Sequence, residues 1–292
     1  MQLHAYFMQL VHKVMRWSDH LFSESLFLPM ISRRHSVLYA VSAFPLAARA
    51  QVSAVVRVLA ASDLKFALTD VVDQYQKQTG QSVQVNFGSS GQFARQVAQG
   101  LAADVLLSAD EVYVQQLARA GHTQGEGSLY AVGRMAVLQP RRGVGTSKES
   151  VGSPLADAGL RVLLGDLLAT GRKFAIANPE HAPYGRAARE VLQHLGLWER
   201  ALPRLVLGDN IAQATQFVTT GAAQAGLTAL SMALAAPIAA RTRHWLVPAH
   251  LHAPLRQRMV LLKNASAQAQ GFFNYLQSTP VQSVLKSYGF EF

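Results

Sequence analysis

The 292-residue chain contains no cysteine. Disulfide frameworks, thiolate metal sites and cysteine nucleophiles are thereby excluded, and nothing in the chain can mispair in an oxidising compartment. Charge is sparse, at 15% of residues, and acidic groups are outnumbered 17 to 27, which leaves a formal net charge of +10. The basic residues stand mostly alone, and pairs such as Arg141–Arg142 build no extended patch. A nucleic-acid partner is therefore not expected. The apolar run Val37–Ala48 falls well short of the about 20 residues that span a bilayer. Metal motifs are lacking too. His250 and His252 are two apart with no carboxylate near them in sequence, and no HExxH occurs, so both histidines are expected in a solvated loop.

What is present is globular. Half of the residues are apolar, enough for a sizeable core in one or two domains. Residues 1–50 read as an address rather than as fold. Arg33 and Arg34 precede the apolar run, and Ala48-Arg49-Ala50 follows it as a small-x-small cleavage site, the order of a secretory signal. The arginine pair also fits a twin-arginine export motif. Met30 is a natural start, and cleavage near Ala50 yields an exported, periplasmic chain. Removing residues 1–50 leaves +7, from 22 basic and 15 acidic residues.

From Gln51 onward strands and helices alternate. Val55–Ala60 is short and valine-rich, as a buried strand is. Leu64, Leu68, Val71, Val72 and Tyr75 recur at helical spacing, and Gly80 ends that helix. Ser82–Phe87 and Asp104–Leu107 read as further strands, with helices around Phe93–Ala98 and over Val112–Ala120. Later, Phe174–Ala177 and Ala225–Leu227 read as strands. Arg186–Leu195, Ala212–Thr219, Ala267–Leu276 and Pro280–Tyr288 read as helices. Such alternation predicts parallel sheets covered by helices, an α/β fold.

In open α/β sheets ligands sit beyond the C-terminal strand ends. Four strand-to-helix loops here are rich in small or hydroxyl-bearing residues: Ala61-Ser62-Asp63, Gly88-Ser89-Ser90-Gly91, Pro183-Tyr184-Gly185 and Asp209-Asn210-Ile211. Each opens a helix whose first amides lack an intrahelical acceptor, and such amides attract anions. Singly, each loop reads equally as a helix cap. A set of neutral donors accepts a fully ionised oxyanion and rejects a protonated one, because an acidic O–H would meet only donors.

Five segments in order carry a resemblance: VLAASDLKFAL (Val58–Leu68), VNFGSSGQFARQVAQG (Val85–Gly100), ADVLLSAD (Ala103–Asp110), NPEHAPYGRAAREVLQHLG (Asn178–Gly196) and LGDNIAQATQFV (Leu207–Val218), with a terminal YGF (Tyr288–Phe290). They make the mature chain resemble the periplasmic molybdate-binding proteins of ABC importers, of the type II periplasmic-binding fold. The resemblance implies two Rossmann-like lobes with a ligand cleft between them. Lobe I would comprise residues 51–133 and 248–292, and lobe II residues 134–247, with Tyr130–Leu138 and Trp245–Leu262 crossing between them. It further implies a monomeric, non-enzymatic binding protein for molybdate or tungstate, without cofactor, that serves a membrane permease. Ser62 and Ser90 would offer hydroxyl and amide donors, and Tyr184 and Ile211 backbone amides.

Two departures stand out. Some members place serine directly before the leucine of the first loop, where this chain has Asp63. Because a carboxylate would repel a dianion, Asp63 is expected to point away and to contribute its amide at most. Many members also carry a tyrosine in the segment matching Ala225–Leu230, and this chain has none. Sulfate or another oxyanion is the alternative ligand. A serine hydrolase built on Ser90, His181 and Asp209 is the remaining alternative, although Gly88–Gly91 is not a G-x-S-x-G elbow. Lys65, Arg95 and Arg186 lie a few residues into helices beyond these loops, where they would steer anions rather than bind them.

Overall fold

The computed structural model describes residues 55–141 and 155–292. The signal at Val37–Ala50 and the start at Met30 lie outside these residues.

Among the described residues, ten strands form two five-stranded sheets. The first holds β1 (Val56–Ala61), β2 (Val83–Gly88), β3 (Val105–Ser108), β4 (Ser128–Gly133) and β10 (Leu255–Leu261), in the order β2-β1-β3-β10-β4. The second holds β5 (Met135–Pro140), β6 (Phe174–Ala177), β7 (Leu205–Gly208), β8 (Ala225–Ala229) and β9 (Thr242–Leu246), in the order β7-β6-β8-β5-β9. The chain thus leaves the first sheet at Arg134 and returns to it between Leu246 and Leu255.

The sheets are mixed, which corrects the expectation of parallel ones. β1 runs parallel to β2 and β3, but β10 is antiparallel to β3 and β4. Likewise β6 runs parallel to β7 and β8, whereas β5 is antiparallel to β8 and β9. The reversed strands are those that begin right after a crossing: each enters its new sheet from the cleft side, against the direction of its neighbours.

Helices cover both faces. In chain order they are α1 (Lys65–Thr79), α2 (Ser90–Ala98), α3 (Glu111–Arg119), α4 (Asp157–Ala169), α5 (Pro183–His194), α6 (Trp198–Ala201), α7 (Ile211–Thr219), α8 (Leu230–Leu234), α9 (Ala236–Ala239), α10 (Ala267–Tyr275) and α11 (Thr279–Ser287). Strand alternation sorts the side chains. Val58, Ala60, Val105, Leu107 and Met259 pack with Leu68 and Val71 of α1, Phe272 of α10 and Leu285 of α11. Leu59, Leu106 and Val260 pack on the other face, against Phe93 and Val97 of α2 and Val114 of α3. The second sheet repeats the plan. Val137, Phe174, Ile176 and Leu227 meet Leu164 of α4 and Val191 of α5, while Leu138 and Ala175 meet Val218 of α7 and Ala233 of α8.

Helix α1 ends as its sequence demands. Gly80 adopts φ +69°, and its amide returns to Gln76 O at 2.9 Å, a left-handed cap that glycine takes without steric cost. Helix α5 starts earlier than its apolar pattern indicates: Pro183, Tyr184 and Gly185 form its first turn instead of a separate loop. Proline suits that position because its missing N–H has no partner to lose.

Candidate functional site

The two sheets point their C-terminal strand ends at one place. Order β2-β1-β3 puts a switch point between β1 and β3, and order β7-β6-β8 puts another between β6 and β8. Ala61 to Asp63, Gly88 to Ser90, Ala109, Pro183, Tyr184, Asn210 and Ile211 surround a small cavity of about 10 Å³ there. All five residues singled out in the sequence, Ser62, Asp63, Ser90, Tyr184 and Ile211, lie on this wall. Each is at most 3% exposed. No lysine or arginine is among the described residues of the lining.

Local geometry follows from the helix starts. Ser90 and Ile211 are the first residues of α2 and α7, and Tyr184 is the second of α5. Amides at such positions have no acceptor within their own helix. The Ser62–Leu64 segment forms a single 3-10 turn leading into α1. Ser90 Oγ accepts the Ala109 amide at 2.9 Å, which fixes the oxygen and leaves the hydroxyl proton to be donated. Ser62 Oγ donates to Asn210 Oδ1 at 3.1 Å and accepts the Ala212 amide at 3.3 Å, so it already bridges the lobes.

Further contacts close the cleft. Ser89 Oγ donates to His181 O at 2.6 Å, and the Gly91 amide donates to the same oxygen at 3.1 Å. Arg186 of α5 pairs with Asp110, the N-cap of α3, and lies 5.4 Å over the Tyr113 ring. Arg186 therefore fastens the lobes together.

Asp63 is held by hydrogen bonds that lead into the core. Its carboxylate turns into a buried network, with Oδ2 accepting Tyr184 O–H at 3.1 Å and Gln257 Nε2–H at 2.7 Å. Tyr130 O–H donates to Gln257 Oε1 at 2.6 Å, and Ser231 O–H to the Asp63 carbonyl at 2.7 Å. Yet the residue still lines the cavity, and its Oδ1 has no hydrogen-bond partner among the described residues. Burial lifts the Asp63 pKa to about 6, against the hydrogen bonds from Gln257 and Tyr184 and the lesser pull of the Asp63 and Leu64 amides, which lie near the carboxylate without a directed bond to Oδ1. Burial, with the Asp63 charge, pushes the Tyr184 phenol far above its ordinary range, and does the same to Tyr130.

Sequence reasoning missed Gln257, Ser231 and the bridging role of Asn210. Gln257 carried a signal: it alternates with Leu255 and Met259 on the buried face of β10, a polar residue at a core position. One expectation failed in part: His252 is buried, with Nδ1 against Ala253 O, whereas His250 is exposed as expected and meets Asp157, a carboxylate remote in sequence, at 2.9 Å. The hydrolase arrangement is not assembled either. His181 Nδ1 faces Ser89 Oγ at 3.1 Å, and no described hydrogen bond links its ring to Ser90 or Asp209. Burial, then the Arg95 charge, lowers the His181 pKa.

Known proteins resemble this chain in sequence and fold. Residues 56–291 match the family described as bacterial extracellular solute-binding protein. The molybdate-binding protein ModA of Azotobacter vinelandii is 34% identical over 87% of this chain and 96% of its own length. That of Rhodobacter capsulatus is also 34% identical, over 74% of this chain and 80% of its own. The solved periplasmic molybdate-binding protein of Azotobacter vinelandii superposes with a TM-score of 0.69 at 29% identity, covering 81% of this chain and 99% of that one. With a match across both sheets and relatives at this identity, the chain belongs to the bacterial extracellular solute-binding protein family, beside its molybdate-binding members.

Proposed function

We propose that the chain captures molybdate or tungstate as a bare dianion between its lobes and delivers it to the membrane permease of an ABC importer. One observation carries the reading: the N-termini of α2, α5 and α7 and the turn into α1 converge on one cavity whose lining offers hydroxyls and amides and no described cationic side chain. Peptide dipoles and orphan N–H groups balance an anion in such a place. The molybdate-binding relatives support the choice of guest.

In this reading Ser90 donates its hydroxyl and amide, Ser62 donates its amide and swings its hydroxyl from Asn210 Oδ1 to the anion, and Tyr184 and Ile211 donate amides from the facing lobe. Lobe I spans residues 51–133 and 248–292, and lobe II residues 134–247. The anion touches both, so it favours the closed form through contacts that only that form completes. The permease reads the closed form. The anion is cargo, no cofactor takes part, and the protein works as an exported monomer once its signal is cut near Ala50.

Isothermal titration with molybdate, tungstate, sulfate and phosphate tests the proposal. Saturable heat with molybdate or tungstate, and a weaker response to sulfate and phosphate, is the expected result. Absence of both heat and thermal stabilisation at saturating molybdate would reject it.

A further inference from the structure

The site contains one group that an anion trap should avoid. Asp63 is 1% exposed, follows Ser62 directly and lines the same cavity. An ionised carboxylate there would set a third negative charge against a dianion, in a lining with no described lysine or arginine to offset it. The arrangement of its two oxygens resolves the conflict. Oδ2 is saturated by two donors, Tyr184 O–H and Gln257 N–H. Oδ1 is buried and meets no directed donor among the described residues. A proton on Oδ2 would have to displace one of those donors, so the vacant site for a proton is Oδ1.

We propose that Asp63 enters the complex as the neutral acid, taking one proton from solvent onto Oδ1 and donating it as a hydrogen bond to an oxygen of the bound dianion. The step makes one O–H bond and breaks none within the protein. The filled cavity then carries the two negative charges of the anion instead of three. Asp63 becomes a donor like the serines beside it and excludes no bare dianion. This inference rests on the oxyanion reading above.

The groups around Asp63 suit this role. Tyr184 from α5 and Tyr130 from β4 are the titratable groups facing it, and both stay neutral because burial and the Asp63 charge oppose their ionisation. β10 presents Gln257, while its neighbours Arg256 and Arg258 are turned to Glu111. α8 presents Ser231 to the backbone carbonyl. Lys65, two residues on, is exposed. With no charged residue among its causes, the raised pKa of about 6 puts the proton within reach near neutrality, and a dianion alongside raises it further. His181, bonded to Ser89 at the edge of the site, also titrates and must be separated from Asp63.

The test is titration calorimetry with sodium molybdate near pH 5, 7 and 8, each in two buffers of different ionisation heat. Wild-type protein takes up close to one proton per anion above pH 7, and its affinity falls by up to about tenfold per pH unit there, the slope of one linked proton. Asp63→Asn and Asp63→Ser, both neutral, bind with no such uptake and a flatter profile, while any contribution of His181 persists in all three proteins. Wild-type binding without proton uptake, or with the same pH profile as the variants, overturns the proposal even if neither variant folds, because the first reading needs wild type alone. If wild type binds no molybdate at any pH, the ligand reading fails and this inference falls with it; binding without uptake sinks only the inference.

Discussion

Asn210 Oδ1 receives the Ser62 hydroxyl from across the cleft and the Gln213 amide from its own helix, each at 3.1 Å. One oxygen thus caps α7 and joins the lobes. The same frugality recurs at His181, whose carbonyl accepts both the Ser89 hydroxyl and the Gly91 amide. Closure is therefore built from the capping groups of the helices that form the site. Substitutions there separate what holds a helix from what holds the guest.

Asn210→Ala removes the cap of α7 and is expected to cost about 1–2 kcal/mol of stability, read by urea unfolding. Asn210→Asp keeps a capping oxygen and most of that stability. It also sets a charge on the cavity wall, and repulsion of a dianion at the effective dielectric of such sites is on the order of 2 kcal/mol or more. Molybdate affinity should therefore collapse in Asn210→Asp while its unfolding midpoint holds. Equal affinity in Asn210→Asp and wild type would place the anion elsewhere.

Ser90→Ala deletes a hydroxyl donor and strands the buried Ala109 amide, which now bonds Ser90 Oγ. Leaving such a group unpaired costs about 1–3 kcal/mol of stability. Ser62→Ala strands the Ala212 amide in a more open position. Together they should weaken molybdate binding by about 1–3 kcal/mol for each lost bond, measured by calorimetry. Full affinity in the double variant would show that neither alcohol touches the ligand.

Much of this site was legible in the sequence because its parts are local. A loop of small residues before an amphipathic helix marks a helix start, and Ser62, Ser90, Tyr184 and Ile211 all proved to share one cavity wall. The illegible parts depend on partners far along the chain. Gln257 lies 194 residues from Asp63, and nothing near Asp63 announces that its carboxylate has two donors in the core. Helix α4 escaped notice because Gly159 and Gly165 weaken its propensity, although Leu160, Leu164, Leu167 and Leu168 bury one face of it. The antiparallel returns of β5 and β10 escaped as well, since alternating strands and helices fix neighbours more firmly than direction.

Gly91 faces the other lobe so closely that an added Cβ would stand 2.5 Å from His181 O. Gly91→Ala should therefore prop the cleft open, at about 1–3 kcal/mol of strain borne by the closed form. Molybdate affinity is expected to fall by about tenfold or more, since each 1.4 kcal/mol is a factor of ten. Small-angle scattering of the ligand-saturated variant should give a larger radius of gyration than wild type. An unchanged radius and affinity would mean that the lobes meet elsewhere when the guest is bound.

Asp63 also predicts how stability changes with pH. Its folded pKa of about 6 exceeds the ordinary 3.8, so the folded state holds the proton more tightly than the unfolded chain. The sign is then the reverse of that for a salt-bridged acid. Below 3.8 both states are protonated and Asp63 exacts no penalty. As pH rises from there to about 6, only the unfolded chain ionises, and stability falls by about 1.4 kcal/mol per unit. Above about 6 both states are charged and the loss levels off at roughly 3 kcal/mol. Asp63→Asn cannot titrate, so its unfolding free energy relative to wild type should climb by about that amount between pH 4 and pH 8, with most of the rise below pH 6. Urea unfolding of both proteins across that range measures the difference directly, with all other titrating groups common to the pair. A difference that stays constant, or runs the other way, would show the carboxylate to be well solvated or paired, and the account of a buried, proton-hungry Asp63 would be lost.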